Sequence, residues 1–579
     1  LKPVARDLAI SIGQYSEAGL KPANQDFYGA IIPAQPALAL KGIAVAIADG
    51  ISSSPVSHIA AQSAIKSFLS DYYCTSDSWT VKTAASRVIA AANSWLYGET
   101  RRTHVADRDH GHVTTFSALV LKARTAHLFH IGDSRIFRLA GEVLERLTED
   151  HRIRFSAEED YLGRALGMAG HVEIDYRTVP LSEGDVYVLT TDGVHEHVSD
   201  ADMARLIHSG GNDLDAAART IASRALEQGS SDNLTIQIVR IETLPEAGIA
   251  ELLYDGDLAP PQLIPEAGEI FDGWRLVRRI YASARSHLFE AVDVETGAQV
   301  ALKIPALDMS QDKGHLRRML MEEWVARRLA NPHLLNAHTQ GRPRKYLYTT
   351  MELLKARTLT RWMADNPAPD LASVRAIVVQ IANGLQAMHR RQMIHQDLRP
   401  ENVMIDETGH VTLIDFGATR VAGVDEAGAA PGDEAMLGTM QYAAPEYFLG
   451  EGGTATSDVY SLGVITYQML TGRLPYGAEM ARTRTRAQQK RVSYQPASGD
   501  DSAIPRWIDA ALRRATHFDP HRRYEEPAEF IADLSTPNPA LPGVAARSFM
   551  ERDPVRFWRI VSLLLALLCF GLLIERAMP

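Results

Sequence analysis

The chain is poor in cysteine: Cys74 and Cys569 are the only two among 579 residues. Thiols so far apart in sequence supply neither a disulfide framework nor a zinc site of the multi-cysteine kind, and they suit a reducing compartment. Basic charge is also in deficit, with 60 Lys and Arg against 71 Asp and Glu and a formal net charge of −11. That balance excludes a nucleic-acid binder working through bulk positive charge, so no nucleic-acid partner is expected, although local basic patches stay open. The opening residues, Leu1-Lys2-Pro3-Val4-Ala5-Arg6-Asp7, lack an apolar core of signal-peptide length, which argues against secretion by that route. No internal repeat is present. What the chain does have is an ordinary globular composition, 46% hydrophobic and 23% charged, which excludes wholesale disorder. At roughly 100 to 200 residues per domain, its length predicts about three or four folding units.

Composition shifts divide the chain. Residues 1–242 alternate short β-type runs with helical stretches, and several runs end on Asp-Gly or Asp-Asn pairs. Residues 243–269 carry Pro245, Pro260, Pro261 and Pro265 among acidic residues and read as a linker. From 270 to 534 a strand-rich start gives way to helical periodicity, as in a small β lobe set on a larger helical lobe. Residues 535–555 hold Pro537, Pro539, Pro542 and Pro554 and read as a second tether. No charge interrupts Ile560 to Ile574, and Phe557 and Trp558 extend that apolar run if Arg559 snorkels. A helix over Phe557–Ile574 would be about 27 Å long, close to a hydrocarbon core roughly 30 Å thick. Arg547, Arg552, Arg556 and Arg559 precede the run and only Arg576 follows it. The expectation is a single-pass transmembrane anchor over 556–576 in the cell membrane, with the preceding domains cytoplasmic. The fold class expected is multidomain α+β.

Two apolar runs deliver an aspartate at their ends. Ile43-Ala44-Val45-Ala46-Ile47-Ala48 leads into Asp49-Gly50, and Val186-Tyr187-Val188-Leu189-Thr190-Thr191 leads into Asp192-Gly193. Ser231-Asp232-Asn233 opens a third run, Asn24-Gln25-Asp26 precedes Phe27-Tyr28-Gly29, and Gly132-Asp133-Ser134-Arg135 sits within a hairpin-like alternation. Any one Asp-Gly could be a turn and nothing more. Carboxylates converging from strand ends repel, and sharing hard cations such as Mg²⁺ or Mn²⁺ through oxygen ligands relieves them. Two such ions can hold a bridging hydroxide for in-line attack on a phosphate ester.

With Thr114-Thr115, Leu147-Thr148-Glu149-Asp150-His151 and Arg164-Ala165-Leu166-Gly167 added, these segments resemble, in order, the metal-dependent type 2C serine/threonine protein phosphatases. The resemblance implies an α-β-β-α sandwich over residues 1–242. It also implies two or three Mn²⁺ or Mg²⁺ ions. Asp49 would bridge two of them, the Gly50 carbonyl would bind one, and Asp192 and Asp232 would complete the other. Asp26 would hold metal-bound water and Asp133 would serve a third, weaker site. Lys21 stands where the family has an Arg on the substrate phosphate, keeping the charge and losing the bidentate fork. Gln25 replaces the usual Glu, Val113 the Gly before Thr114, and Ile51-Ser52-Ser53-Ser54 the Gly-rich stretch. A second group, His104, Asp107, Asp109, His110 and His112, has ligand residue types at a spacing that fits no helical or hairpin site, and reads as a solvated loop.

A second set of motifs follows. Val300-Ala301-Leu302-Lys303 would be an unremarkable strand alone. Downstream stand His395-Gln396-Asp397-Leu398-Arg399-Pro400-Glu401-Asn402, Asp415-Phe416-Gly417, Ala444-Pro445-Glu446, Ser457-Asp458-Val459-Tyr460-Ser461-Leu462-Gly463 and Asp519-Pro520-His521-Arg522-Arg523. Phosphoryl transfer needs a cation on the α and β phosphates, metal-binding oxygens, and a base that orients the acceptor hydroxyl. Lys303, Asp415 with Asn402, and Asp397 supply those parts. Residues 270–534 are therefore similar to the eukaryotic-like serine/threonine protein kinases, which implies a bilobal fold using ATP with Mg²⁺. By that resemblance Glu322, rather than the adjacent Glu323, partners Lys303. Met351 would be the gatekeeper, Glu352 to Leu354 the adenine hinge, and Arg399 a cation near the transferred phosphate. Glu446 would pair with Arg523, and Thr439 would help hold the acceptor. Where the family has Gly-x-Gly-x-x-Gly, this chain has Tyr281, Ser283 and Ser286, so a raised requirement for ATP is expected. Gln396 replaces the Arg that reads a phosphate in the activation loop, so that switch is not expected to govern this kinase.

The reading is a bifunctional enzyme that removes phosphate from Ser and Thr of proteins and adds it with ATP, acting on one shared client from a membrane anchor. Its rival is a membrane-tethered scaffold or sensor with an active phosphatase and a nucleotide-binding pseudokinase. Composition and motifs leave the oligomeric state open.

Overall fold

The computed structural model describes residues 6–102, 111–154, 160–245, 258–338, 343–427, 441–498, 504–541 and 554–577. The first domain is two antiparallel five-stranded sheets laid face to face. One runs in the order Asp175–Pro180, Thr125–Ile131, Phe116–Lys122, Ile43–Asp49, Asp26–Ile31. The other runs Ala9–Glu17, Leu234–Thr243, Val186–Thr190, Arg135–Ala140, Val143–Arg146. Strand Ile43–Asp49 is buried on both faces until its last residue, and its side chains alternate by the two-residue period of a pleated strand. Ile43, Val45 and Ile47 point between the sheets, onto a core shared with Tyr187, Leu189, Val239 and Ile241. Ala44, Ala46 and Ala48 point outward, under helices Ser57–Cys74 and Val81–Arg102, with Ala60, Ala64 and Phe68. Small residues on that face let the helix backbone lie close to the sheet.

On the other side, Asp200–Gly210 and Leu214–Glu227 cover Val186, Val188, Ile236 and Ile238. Both helices start on a side-chain cap: Ser199 accepts from the Asp202 N–H and Asp213 from the Ala216 N–H. The result is the helix–sheet–sheet–helix sandwich that the phosphatase resemblance implies.

The second domain begins with a five-stranded antiparallel sheet of Ile270–Phe271, Trp274–Ala282, Ser286–Asp293, Gln299–Pro305 and Thr349–Glu352. Its apolar face gathers Trp274, Leu276, Phe289, Val300, Leu302 and Tyr348. Helix Lys313–Arg328 lies beside it, capped by Asp312, which accepts from the His315 N–H. The end of the proline-rich segment is not free chain: Pro261 is buried, Ile264 packs on the sheet core, and the Ala259 carbonyl accepts from the Leu347 N–H at 3.0 Å.

The helical lobe is built on Leu371–His389, Ala455–Thr471, Arg506–Ala515 and Pro527–Ser535. Leu371–His389 is apolar and long enough to cross a membrane by composition, yet it buries Val374, Ile377, Val378, Ile381 and Leu385 in this lobe and is its central packing helix. Arg523 meets Glu446 with two hydrogen bonds of 2.8 and 2.7 Å, and the Ser457 hydroxyl donates to the same carboxylate at 2.6 Å. The pair is buried. Its bidentate geometry and the extra donor compensate the desolvation of both charges. Farther on, Pro554–Ala577 forms a 24-residue helix on which Val555, Trp558, Leu563, Leu564 and Leu565 are exposed.

Candidate active sites

In the first domain the acidic residues meet where strand ends converge. Asp26 and Asp49 are directly opposite one another in the register of their strands, an unfavourable placement for like charges. Thr191 and Thr235 hydroxyls donate to Asp26 Oδ2 at 2.9 and 2.7 Å, while Asp26 Oδ1 is buried with no hydrogen-bond partner. The Asp49 backbone is fixed from the neighbouring strand: its N–H donates to Thr115 Oγ1 at 2.9 Å, and its carbonyl accepts from the Thr114 hydroxyl and the Thr115 N–H, each at 2.8 Å.

Asp192 opens the short helix Asp192–His195, and the turn fits because its second residue is glycine. A Cβ on Gly193 would stand 2.1 Å from the Asn233 carbonyl oxygen, so any side chain would push Asp192 away from the Asp232-Asn233 turn. Asn233 in turn accepts from the Gln25 N–H at 2.8 Å, which ties a third segment to the cluster.

The electrostatics record the crowding. Burial, followed by Asp26, Asp192, Asp133 and Asp232, pushes the Asp49 carboxyl well above the ordinary range. Burial and then Asp133 and Asp232 lift Asp192 to about 7. Burial lifts Asp26 to about 6 against the threonine hydrogen bonds, and it raises Asp133 against Arg152. Two cations lean on the cluster. Arg152 reaches Asp133 at 2.8 Å, Asp192 at 3.3 Å and Glu196 at 2.6 Å. Lys21 stands 3.2 Å from Asp232 and 3.1 Å from the Ser52 hydroxyl.

Among the described residues, no three His, Cys, Asp or Glu side chains stand at the spacing of a preformed metal cage. The donor set nevertheless fits hard divalent cations: all its ligand atoms are oxygens, one of them is an unpartnered buried carboxylate oxygen, and its charges repel. Gln25 does not face this cluster with a free amide, since its Nε2 donates to the Ser54 carbonyl and the Ser57 hydroxyl at 2.8 and 2.6 Å. Of the histidine-rich group, His104, Asp107, Asp109 and His110 lie outside the described residues. His112 is buried, its N–H donating to Thr100 Oγ1 at 2.8 Å.

The second domain brings its motif residues together where the sheet lobe meets the helical lobe. Lys303 Nζ stands 2.6 Å from Glu322 Oε2, and Glu323 turns instead to Arg327 and Arg344. Burial opposes the Lys303 charge, but Glu322 and Asp415 outweigh it and raise its pKa. Burial likewise works to raise Asp415, yet Lys303 and the Gly417 N–H hold it below the ordinary range. Asp415 is left-handed at φ +64, an uncommon conformation for a non-glycine residue and one found at active sites. Asn402 Nδ2 donates to the Asp397 carbonyl at 2.9 Å and to its carboxylate at 3.0 Å. The Asn402 carbonyl accepts from the Ile414 N–H at 2.9 Å, which couples the Asp397 loop to Asp415. Burial, with Asp415 adding to it, raises the Asp397 carboxyl.

Met351 pairs with Ala301, and Glu352 with Val300, one strand over from Lys303. Leu354 packs on the helical-lobe core. Arg399 stands 3.1 Å from Glu401. Thr439 lies outside the described residues.

The glycine-poor turn is closed on itself. Ser283 Oγ accepts from the N–H groups of Arg285 and Ser286, each at 3.2 Å, so a side chain uses two amides that a glycine loop would leave open to phosphates. Arg152, the Thr191 and Thr235 hydroxyls, and Ser283 as an amide acceptor were not singled out from the sequence. Only the Thr preceding Asp192-Gly193 carried a local signal.

Residues 19–234 match the family model for protein phosphatase 2C, and residues 280–533 match the model for the protein kinase domain. The serine/threonine-protein kinase PknL of Mycobacterium tuberculosis is 30% identical over 272 residues, covering 47% of this chain and 67% of PknL. The serine/threonine-protein kinase PrkC of Bacillus subtilis is 27% identical over 263 residues, 45% of this chain and 40% of PrkC, so the chain spans about two fifths of that relative's length. Among solved structures, the serine/threonine phosphatase PstP/Ppp of Mycobacterium tuberculosis is 22% identical, covering 40% of this chain and 99% of that one at a TM-score of 0.35. The chain belongs to the protein kinases through its second half and carries a protein phosphatase 2C domain in its first.

Proposed function

We propose that the chain is a bifunctional signalling enzyme, a phosphoprotein phosphatase and a protein kinase for Ser and Thr side chains acting on a shared client. The observation that carries the first activity is the group of buried carboxylates around the unpartnered Asp26 Oδ1. Asp49, the Gly50 carbonyl, Asp192, Asp232 and Asp26 would hold Mn²⁺ or Mg²⁺, with Asp133 serving a weaker site. Bound there, the ions supply an activated water and Lewis-acid stabilisation of the ester oxygens. Lys21 has the charge to steer the substrate phosphate toward the cluster, and Arg152 is a second cation within reach of the same carboxylates.

The second activity is supported by Lys303, already paired with Glu322 and charged beside Asp415. Lys303 would hold the α and β phosphates of ATP, Asp415 and Asn402 its magnesium, and the Met351–Leu354 strand end its adenine. Asp397 would orient the acceptor hydroxyl and Arg399 neutralise charge on the transferred group. An intact set of Lys303, Glu322, Asp397, Asn402 and Asp415 favours turnover over a scaffold that only binds nucleotide. The self-bonded Ser283 turn supports a raised requirement for ATP. Exposed apolar residues from Val555 to Leu565 on helix Pro554–Ala577 support a single-pass anchor in the cell membrane, and the Arg residues ahead of the apolar run support a cytoplasmic side for both domains.

Incubation of the intact chain with labelled ATP and a general protein acceptor should give label that falls by about 10² to 10⁴ in Asp397→Ala and likewise drops in Lys303→Ala. Undiminished transfer in both contradicts the kinase reading. Phosphopeptide hydrolysis with Mn²⁺ should vanish in Asp49→Ala, and persistence removes the carboxylate assignment.

The raised carboxyls also set a pH dependence. A carboxyl whose folded pKa lies above its unfolded value stabilises the fold fully below that unfolded value, near pH 4, and loses the contribution as pH rises through the folded value. With Asp26 at about 6 and Asp192 at about 7, the metal-free phosphatase domain should melt at a lower temperature at about pH 8 than at about pH 5. Mn²⁺ should raise melting more at the higher pH, where no proton competes. An equal Mn²⁺ response at both values contradicts this. Deleting residues 554–579 should move the protein from the membrane pellet to the soluble fraction, and continued pelleting counts against the anchor.

A further inference from the structure

The two domains meet along a polar seam remote from the carboxylate cluster. On the phosphatase side it is made by Asp77 to Thr83, which lead into helix Val81–Arg102, and by Lys122 at the end of its strand. The register pairs Leu121 with Ile43, at the opposite end of strand Ile43–Asp49 from Asp49. At about 3.3 Å per residue, that separates seam and cluster by roughly 20 Å.

On the kinase side the seam engages three elements, each continuous with a residue of the phosphoryl-transfer set. The first is the end of helix Lys313–Arg328, which carries Glu322: Arg328 stands 3.1 Å from Asp77. The second is the turn just ahead of His395-Gln396-Asp397. There the Trp79 indole N–H donates to the Arg390 carbonyl at 3.3 Å. Gln392 Oε1 accepts from the Thr80 N–H, and its Nε2 donates to Thr83 Oγ1, both at 2.9 Å. The third is the short helix Ala422–Glu426, downstream of Asp415-Phe416-Gly417. The Gly423 N–H donates to the Ser78 carbonyl at 2.9 Å, and the Lys122 ammonium donates to the Gly423 carbonyl at 2.6 Å and to Glu426 at 3.3 Å.

This is a fitted contact. Lys122 has only 1% of its side chain exposed, and a buried ammonium is tolerable only against matched acceptors. Glu426 also accepts from the Val81 N–H at 2.8 Å. With Gln392 on the Thr80 N–H, kinase side chains thus satisfy N–H groups at the start of a phosphatase helix, where a cap is otherwise required. A Cβ on Gly423 would stand 2.5 Å from the Trp79 carbonyl oxygen and 2.6 Å from that of Asp77, so the approach is specific to glycine. Leu40 of the phosphatase domain joins the kinase core with Val421 and Val424.

With the seam closed, Lys303 and Glu322 are in contact and Asp415 lies beside them. Gln396, at the position from which an Arg would grip an activation-loop phosphate, is uncharged, and its N–H donates to Asp458 at 3.0 Å. We propose that the phosphatase domain is a built-in activator of the kinase: Asp77–Thr83 and Lys122, clamped on Arg328, Gln392 and Ala422–Glu426, hold the transfer-competent arrangement in place of a phosphate on the activation segment. This rests on the kinase reading above.

The test uses the full chain and substitutions on the phosphatase side, which leave every kinase residue intact: Lys122→Glu, and Asp77→Ala combined with Trp79→Ala. Gly423→Val breaks the same contact from the other side. Three readouts run together: amide hydrogen exchange of residues 420–426, label transfer from ATP to a general acceptor, and Mn²⁺-dependent hydrolysis of p-nitrophenyl phosphate. The expected result is protection of 420–426 in the intact chain and its loss in the variants, with transfer falling about tenfold or more. For the phosphatase-side variants, ester hydrolysis should stay within about twofold, which also shows that the substituted domain is folded. Transfer that is unchanged or raised when protection is lost overturns the proposal. So does protection that is absent from the intact chain, or that persists in all three variants. No transfer from the intact chain overturns the kinase reading itself, a result distinct from transfer indifferent to the seam.

Discussion

Negative charge that the fold gathers and only partly neutralises is the constraint on which the rest of this structure depends. In the phosphatase domain, five aspartates arrive at one end of the two facing sheets on segments distant in sequence. Burial and mutual repulsion hold Asp49, Asp192 and Asp26 far from their ordinary ionisation. The sandwich tolerates this because its stability comes from elsewhere. The alternation of Ile and Val with Ala along Ile43–Asp49 fixes the register, since a slip of one residue would exchange the large inward side chains with the small ones under the helices. In the kinase domain one ammonium, Lys303, faces two carboxylates, Glu322 and Asp415, so negative charge is again left over where a nucleotide's metal would sit.

Much of this was legible in the sequence because it was written locally. A continuous apolar run ending in Asp-Gly specifies a buried strand with a carboxylate at or just beyond its tip: Asp49 ends its strand, and Asp192 stands two residues past Thr190, at the start of a helix. Lys303 at the end of Val-Ala-Leu, and Asn402 five residues beyond Asp397, are spacings within single elements or single loops. The kinase resemblance singled out Glu322 over Glu323, and it is Glu322 that meets Lys303. The rest depends on contacts with no local mark. Arg152 reads as one more charge in a polar stretch, and only the fold brings it onto Asp133 and Asp192. Ser283 reads as a missing glycine, and only the hairpin shows its hydroxyl taking two backbone amides. The apolar composition of Leu371–His389 would suit a membrane as well as a core, and only the fold shows it packed within the helical lobe. The proline-rich stretch near Ala259–Pro265 reads as linker, whereas its end packs on the sheet lobe.

The seam between the domains gives the fusion a physical content beyond tethering. A linker alone raises the local concentration of one activity near the other. A fitted contact that completes a helix N-terminus on one side and buries an ammonium on the other transmits position as well. Its kinase partners are continuous with the residues proposed to hold phosphate, metal and acceptor. The phosphatase cluster lies at the far end of its strand. The two chemistries thus share a scaffold without sharing a cavity.

The account stands on carboxylates assembling into two separate divalent-ion centres. Counting bound Mn²⁺ by electron paramagnetic resonance on the full chain, with and without a non-hydrolysable ATP analogue, tests this directly. The account requires ions bound without nucleotide that disappear in Asp49→Asn and persist in Asp415→Asn. It also requires a further ion that appears with nucleotide and is lost only in Asp415→Asn. Unchanged Mn²⁺ binding in Asp49→Asn without nucleotide would contradict it.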